Sequence, residues 1–565
     1  MNKRSSVLRN FLISLICLSA YLPNRSPLLA LVSTGATYNN ILVNNWNYQF
    51  KIVFGGDYRM IPGPSAAIGE LRPDYPGLEV ATGNEEYHPL GDTTSDGPLG
   101  RWFLFSSKGD VIWWKDTEND EAHSSINLAD LNGDGTSEII GGTTSGNEVQ
   151  AIHPFSQWVW ANPYNGHVLS TPATARMGNN EWRVFAGSFD YSVKSFRGAT
   201  GQIAWRFVTR GPIWSTAAIG DTDGDGAKEV LIGSDDGYLY CLGASTGAFK
   251  WKVNAGESLR ASAALADLNG DGRREVIIGT PWISSGTLLA LDGATGATRW
   301  SFATGGSIIS SPAIGDTDGD GKPEIVFGSG DGKVYCLNSD GSLKWSRDLG
   351  SPIYSSPALA ARGPGPRLDV YIITFAGYLT LLQGDNGAFL DSFKGSYTSV
   401  SSPVVGDVDG DGKLEIFFQD RFGDINSMRG DRFWSVKDTL SNVPPFSRPW
   451  PMFRANPAHT GVYADAQADQ FLVKSDLEPP HISHTPMAAT VADNKNLIIE
   501  AKITDNASVA IAGLTFWQDG TSKYYTIPMF ALGNAKFRAL IPGYYLQSLK
   551  TKKVNYFIDA TDEAG

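Results

Sequence analysis

The chain has 565 residues, 59 of them acidic and 46 basic, with a formal net charge of −13 and 63 glycines. That length implies more than one domain, and the composition describes a turn-rich, mostly β protein and excludes a largely disordered one. Eighteen of the acids fall in five short repeated phrases and the other 41 nearly balance the bases, so no polyanion-binding field is present and nucleic acid is not an expected partner.

Residues 1–36 read as a signal-peptide region. Lys3, Arg4 and Arg9 precede an apolar run from Phe11 to Leu22 that is too short to anchor in a bilayer, and cleavage fits after Ala20 or after Thr34-Gly35-Ala36. Cys17 lacks the small residue that a lipoprotein signal places before its cysteine, and no later run is apolar enough to span a membrane. The expected location is secreted, extracellular or cell-surface. Residues 37–63, with Trp46-Asn47-Tyr48-Gln49-Phe50 and Ile52-Val53-Phe54, supply one or two strands that help to close the array beginning at Pro64. Cys241 and Cys336 stand in parallel phrases two repeats apart, and the reading for both is a small buried thiol.

From Pro64 an internal repeat dominates. Its first acidic position falls at Glu70, Asp130, Arg176, Asp221, Asp267, Asp316, Ala361 and Asp407, in steps of 60, 46, 45, 46, 49, 45 and 46 residues. Each unit holds four strand-like stretches separated by Gly and Asp turns, shown well by Ile309 to Gly315, Glu324 to Gly328, Lys333 to Leu337 and Ser342 to Ser346. Four short strands per repeat match one propeller blade. The predicted fold is all-β: an eight-bladed β-propeller, or seven-bladed if an end unit is incomplete, over residues 64–461 with its trailing segment. Trp113 or Trp114, Trp160, Trp205, Trp251, Trp300, Trp345 and Trp434 form a column expected on the outer strand, packing between blades.

Five repeats carry the acidic phrase, as in Asp221-Thr222-Asp223-Gly224-Asp225-Gly226 with Glu229 at the ninth position. The full set is Asp130, Asn132, Asp134, Glu138; Asp221, Asp223, Asp225, Glu229; Asp267, Asn269, Asp271, Glu275; Asp316, Asp318, Asp320, Glu324; and Asp407, Asp409, Asp411, Glu415. Side chains at alternate positions converge when glycines tighten the turn, and oxygen donors so placed suit Ca2+, in up to five sites. An EF-hand needs a Glu at position twelve, where the Asp221 phrase has Ile232, and the flanks are strands. Such a closed cage reads as a structural staple. Blades one, three and seven lack the ligands, as at Arg176 and Ala361, and are expected to be metal-free.

The acidic phrase followed by Glu324-Ile325-Val326-Phe327-Gly328-Ser329 resembles FG-GAP or VCBS repeats of integrin-alpha-like propellers, and Ala294-Thr295-Gly296-Ala297-Thr298-Arg299-Trp300 resembles the repeats of PQQ-type propellers. Trp450 to Arg454 and Asn456 to Gly461 are similar to a segment found beside such propellers in bacterial exported proteins. The resemblance implies that the calcium loops join the innermost strand to the second on one face, which leaves the other face for a partner. There the residues just before each inner-strand Ser or Thr form a varied column: His123, Leu169, Trp214, Arg260, Ile309, Tyr354 and Val400. Trp282, in an insertion, reaches the same face. Of these, His123, Trp214, Arg260, Trp282 and Tyr354 are the candidate ligand-binding residues, for a protein or a carbohydrate. A plug for the central channel is the competing reading.

Residues 462–479 form a linker. From 480 to 565, strand patterns such as Ile498 to Thr504, Gly513 to Trp517 and Val554 to Ala560 resemble an immunoglobulin- or fibronectin-like sandwich that looks truncated at its end. The resulting expectation is a non-catalytic adhesion-type module with no catalytic residues. A polysaccharide lyase is the first alternative, although His88, His123, His153, His167, His459, His481 and His484 form no recognisable catalytic motif. A PQQ-dependent dehydrogenase is the second, although such enzymes place adjacent cysteines against the quinone and none occur here.

Overall fold

The computed structural model describes residues 41–49, 65–69, 71–72, 78–84, 100–117, 122, 124–421 (apart from 135, 145, 156–157, 179–180, 257, 282–284, 364–366, 397 and 410), 431–441 and seven strands between His481 and Asp562. The signal region 1–36, the segment from Trp450 to Gly461 and the linker 462–479 lie outside them. Every described element is a strand, and no helix among the described residues is long and apolar enough to cross a membrane.

Eight four-stranded antiparallel sheets follow one another as blades of a β-propeller: 67–116, 127–163, 173–208, 218–254, 264–304, 313–348, 358–394, and 404–438 together with Leu42–Gln49. Burial explains the sequence texture. The second strand of blade four, Glu229–Gly233, is buried at every position because neighbouring blades cover both its faces, so it reads as an unbroken apolar run. The outer strand Phe249–Asn254 buries only Trp251.

Two hydrogen-bonded devices hold neighbouring blades. Around the centre, six junctions repeat one bond, from the amide of a Ser or Thr ahead of the inner strand to the hydroxyl of its counterpart in the next blade: Thr216 to Ser262 (2.8 Å), Ser262 to Ser311 (3.0 Å), Ser311 to Ser356 (2.9 Å), Ser356 to Ser402 (2.9 Å), Ser402 to Ser65 (3.0 Å) and Ser65 to Ser125 (3.0 Å). The Ser402–Ser65 link joins blade eight to blade one and closes the ring. Towards the rim, the outer-strand Trp of blades two to six donates its indole N–H to a carbonyl of the next blade, as Trp205 does to Ala244 (2.8 Å) and Trp345 to Gly384 (2.7 Å). The Trp ring also lies on a glycine of that blade. A Cβ on Gly247, whose φ is +71°, would stand 2.7 Å from the Trp205 ring, so both backbone and packing demand glycine there.

The last blade corrects the Trp column. Its outermost strand is the N-terminal Leu42–Gln49, which pairs with Asp431–Asp438, so Trp434 sits on the third strand. The outer-strand position belongs to Trp46, which donates to Ser107 O (3.2 Å) and lies against Gly109 of blade one. Register likewise selects Trp113, opposite Leu104, over the half-exposed Trp114. In blade seven Asp391 replaces the Trp and accepts the amides of Ile41 and Leu42 on Oδ2 (2.8 and 2.9 Å), which ties down the incoming N-terminal strand.

The C-terminal residues form two antiparallel sheets of their own. One orders His481–Ser483, Leu497–Thr504, Lys536–Ile541 and Phe530–Gly533; the other orders Tyr524–Pro528, Val509–Gln518 and Val554–Asp562.

Candidate functional site

Because strands alternate in direction, the turns between first and second strands open on one face of the ring. The turns between second and third strands open on the other, together with the segments that lead into the next inner strand.

On the first face the acidic phrases fold as the spacing requires. In blade four Asp221 accepts the amides of Gly224 (2.7 Å) and Gly226 (2.9 Å), and Asp225 accepts that of Ala227 (2.7 Å). Each of Asp221, Asp223 and Asp225 thereby brings an oxygen within 4.8 Å of the others, as do Asp316, Asp318 and Asp320, and Asp407, Asp409 and Glu415. In blade five Asp267 gathers Gly270 and Gly272 (2.7 Å each), with Asn269 hydrogen-bonded to Asp271 (3.1 Å). In blade two Asp134 and Glu138 converge with His153.

The ninth-position Glu is buried in all five phrases and grips its own loop: Oε2 accepts the amide of Leu131, Thr222, Leu268, Thr317 or Val408 at 2.7–3.0 Å. In four blades the other oxygen meets a cation of the chain itself. Lys250 contacts Glu229 (2.6 Å) and Asp223 (2.8 Å); Arg299 contacts Glu275 (3.1 Å) and Asp292 (2.8 Å); Lys344 contacts Glu324 (2.9 Å) and Asp318; Lys437 contacts Glu415 (2.9 Å), Asp409 (2.9 Å) and Asp411 (2.8 Å). Sequence reasoning missed these partners, although Lys250, Arg299 and Lys344 each stand just before the column Trp, where blades three and seven have Ala204 and Leu390. Burial raises the Glu275 and Glu415 carboxyls to about 7, against the pull of hydrogen bonds and of Arg299 or Lys437. Asp223, Asp318 and Asp411 lie below the usual carboxylate value: burial is the largest single influence and would raise each, but the hydrogen bonds and charge of the lysines together with hydrogen bonds within the loop outweigh it. The loops thus combine converging oxygens, suited to a hard cation, with a resident ammonium or guanidinium behind them.

On the opposite face Leu169, Trp214, Arg260, Ile309, Tyr354 and Val400 are all half-buried, whereas His123 and Trp282 lie outside the described residues. Trp214 and Arg260 come together. The guanidinium lies 4.6 Å over the indole, and Asp235 receives both Arg260 (3.2 and 3.1 Å) and the Trp214 N–H (3.1 Å). Phe189 packs 4.7 Å from Trp214, and His167 packs at 5.8 Å on Phe189. Tyr354 is separate, edge-on to Phe375 at 5.8 Å, with its phenol raised by burial. Phe189, Asp235 and Phe375 were missed. They occupy one position in the turns of blades three, four and seven, Ser188-Phe189, Ser234-Asp235 and Thr374-Phe375, a second varied column legible only once the turns are aligned.

Fold and repeat together define an eight-bladed β-propeller with PQQ-like repeats. The family model described as outer membrane protein assembly factor BamB matches residues 190–435. Among solved structures, the V. cholerae biofilm matrix protein Bap1 is similar with a TM-score of 0.53 at 13% identity, over 74% of this chain and 96% of that one. BamB from Moraxella catarrhalis gives 0.41 at 14% (69% and 97% covered), and quinohemoprotein alcohol dehydrogenase ADHIIG from Pseudomonas putida HK5 gives 0.48 at 12% (73% and 78%). At such identities the likeness is one of fold. No curated protein sequence matches the chain.

Proposed function

We propose that this is an exported, calcium-stabilised propeller that acts as a non-catalytic binding module, engaging its partner on the face opposite the acidic loops. The observation that carries the reading is the Phe189–Trp214–Arg260–Asp235 group: the rest of the ring repeats, and here half-exposed side chains differ from blade to blade. Arg260 already covers the Trp214 ring where a sugar would stack, which favours a protein segment over a glycan. The match to a family named for an outer membrane assembly factor and the signal-like N-terminus support a place in the envelope or outside the cell. Calcium belongs at the loops beginning at Asp221, Asp267, Asp316 and Asp407 as a staple rather than a reagent, and chelation is expected to lower the melting temperature. An unchanged midpoint in EDTA overturns that part.

For the partner, the full chain is applied in parallel to immobilised envelope protein and to a glycan array, with assays for unsaturated uronide products and for quinone-dependent dye reduction. Binding that disappears when Trp214, Arg260 and Tyr354 are all changed to Ala supports the proposal. Binding that survives the triple change, or turnover in either catalytic assay, refutes it.

A further inference from the structure

Blade three departs from the other seven at the start of its second strand. The position that is Glu or Asp elsewhere is Arg183 here, paired with Ala175 on the inner strand and with Arg197 on the third. In blade four the same place holds Glu229, and Lys250, the bulged residue of the outer strand, reaches it at 2.6 Å. Blade three keeps the bulge, opposite Ser195 and Phe196, but its bulged residue is Ala204, and a methyl group cannot span that distance.

The guanidinium at that place is short of acceptors. Arg183 is only 7% exposed, and Nη2 donates to Glu181 Oε2 at 3.0 Å. Among the described residues, its Nε and Nη1 are sealed from solvent without a hydrogen-bond partner. Glu181 also accepts from Arg197 Nη1 on its other oxygen, at 2.5 Å. Two guanidinium groups therefore share one carboxylate, and positive charge is left over. The Arg197 side chain is 48% exposed, so this group meets solvent on that side.

A buried guanidinium with idle N–H groups is costly, and what relieves it is an anion that brings acceptors. A planar carboxylate matches one edge of one guanidinium. A tetrahedral oxyanion carries oxygens in several directions, so it can accept from Arg183 beside the Glu181 bond and from Arg197 at once. We propose that blade three binds one phosphate- or sulfate-class oxyanion through Arg183 and Arg197, admitted when the exposed Arg197 side chain swings aside. The site opens on the same face as the acidic loops and is their opposite in charge. It depends neither on the partner face nor on calcium in the neighbouring loops.

The test uses the full chain in chloride buffer, titrated with sodium sulfate and, separately, sodium phosphate at constant ionic strength, with heat of binding and melting midpoint as readouts. One equivalent of anion is expected to bind and to raise the midpoint beyond what chloride does. Arg197→Met, at an exposed position, should weaken binding by at least about tenfold. Ala204→Glu puts a carboxylate at the bulge from which Lys250 reaches its partner in blade four, so it should satisfy Arg183 from within and abolish the response to sulfate. Arg206→Met, on the same outer strand but beside Asp190 at 3.7 Å, should bind sulfate as the parent does. No binding beyond chloride, or undiminished binding by either folded variant at 197 or 204, overturns the assignment. So does a midpoint that climbs with sulfate without saturating, which is a bulk salt effect.

Discussion

Blade seven has no acidic triad, and Arg362, the second residue of its loop, carries a guanidinium into the seam with blade eight. It donates to both oxygens of the fully buried Asp438, to Oδ1 at 2.9 Å, and stands 3.6 Å from the buried Asp369, while Tyr371 donates to Asp438 Oδ2 at 2.7 Å. Replacing Arg362 by Leu leaves the buried Asp438 without its cation and Asp369 with only Arg367, at 3.4 Å. Removing one partner of a buried ion pair costs about 3–5 kcal/mol. With an unfolding entropy of about 2.1 cal/mol/K per residue over roughly 400 residues, a loss of about 4 kcal/mol lowers the melting midpoint by about 5 °C. Calorimetry on the purified variant measures that shift. Arg362→Leu combined with Asp438→Leu should recover part of the loss, because an uncharged seam escapes the penalty of an unpaired charge. A single variant that melts within about a degree of the parent, or a double variant that loses the full sum of the singles, refutes the claim that Arg362 matters through these carboxylates.

Asp391→Ala removes the acceptor of the Ile41 and Leu42 amides and should cost about 1–3 kcal/mol; limited proteolysis should then cut first near the N-terminal strand, and unchanged protection there argues against the clamp. Lys344→Met strips the ammonium from Glu324 and Asp318, so the midpoint in EDTA should fall while the gain on adding calcium grows, because no fixed cation repels the ion; an unaltered calcium increment counts against this. In metal-free protein, burial raises Glu275 and Glu415 to about 7 from an ordinary 4.5. A carboxyl raised by folding binds its proton more tightly in the folded state, so its cost to stability is relieved as pH falls from about 7 toward 4.5. Denaturation in EDTA at pH 7 and pH 5.5 should show Glu275→Gln flattening that dependence, and an identical slope in parent and variant is the contrary result.

The ring was legible because its signals are local. An Asp-x-Asp-Gly turn or a Gly four residues before a Trp sits within one blade, and its recurrence at blade spacing multiplies a weak signal. What failed was non-local. Trp434 has the composition of an outer-strand Trp, but the strand that completes its blade is Leu42–Gln49, and no spacing near residue 434 reveals that Trp46 takes its role. Asp235 was hidden differently: Ser234-Asp235-Asp236-Gly237 reads as a turn former, and its grip on Trp214 and Arg260 depends on the next blade's segment lying beside it.

Strand register sharpens the meaning of the acidic loops. The residue that pairs with the inner-strand position just before the loop is Glu79, Glu138, Arg183, Glu229, Glu275, Glu324, Asp369 and Glu415 in blades one to eight. An acid therefore stands there in seven blades, including blades one and seven, whose loop sequences lack the repeated acidic phrase, so metal binding alone does not explain it. In the five acidic loops it accepts a loop amide, and in blade seven Asp369 accepts the amide of Gly384 (3.1 Å). A buried carboxylate in such a place needs a positive partner. Blades four, five and six bring Lys250, Arg299 and Lys344 from the outer strand, blade eight brings Lys437 from the adjoining third strand, and blade seven brings Arg362 from the loop itself. Blade three inverts the polarity, with Arg183 held by Glu181 at 3.0 Å. Blade two sets His153 beside its acid, just past the end of the adjoining third strand.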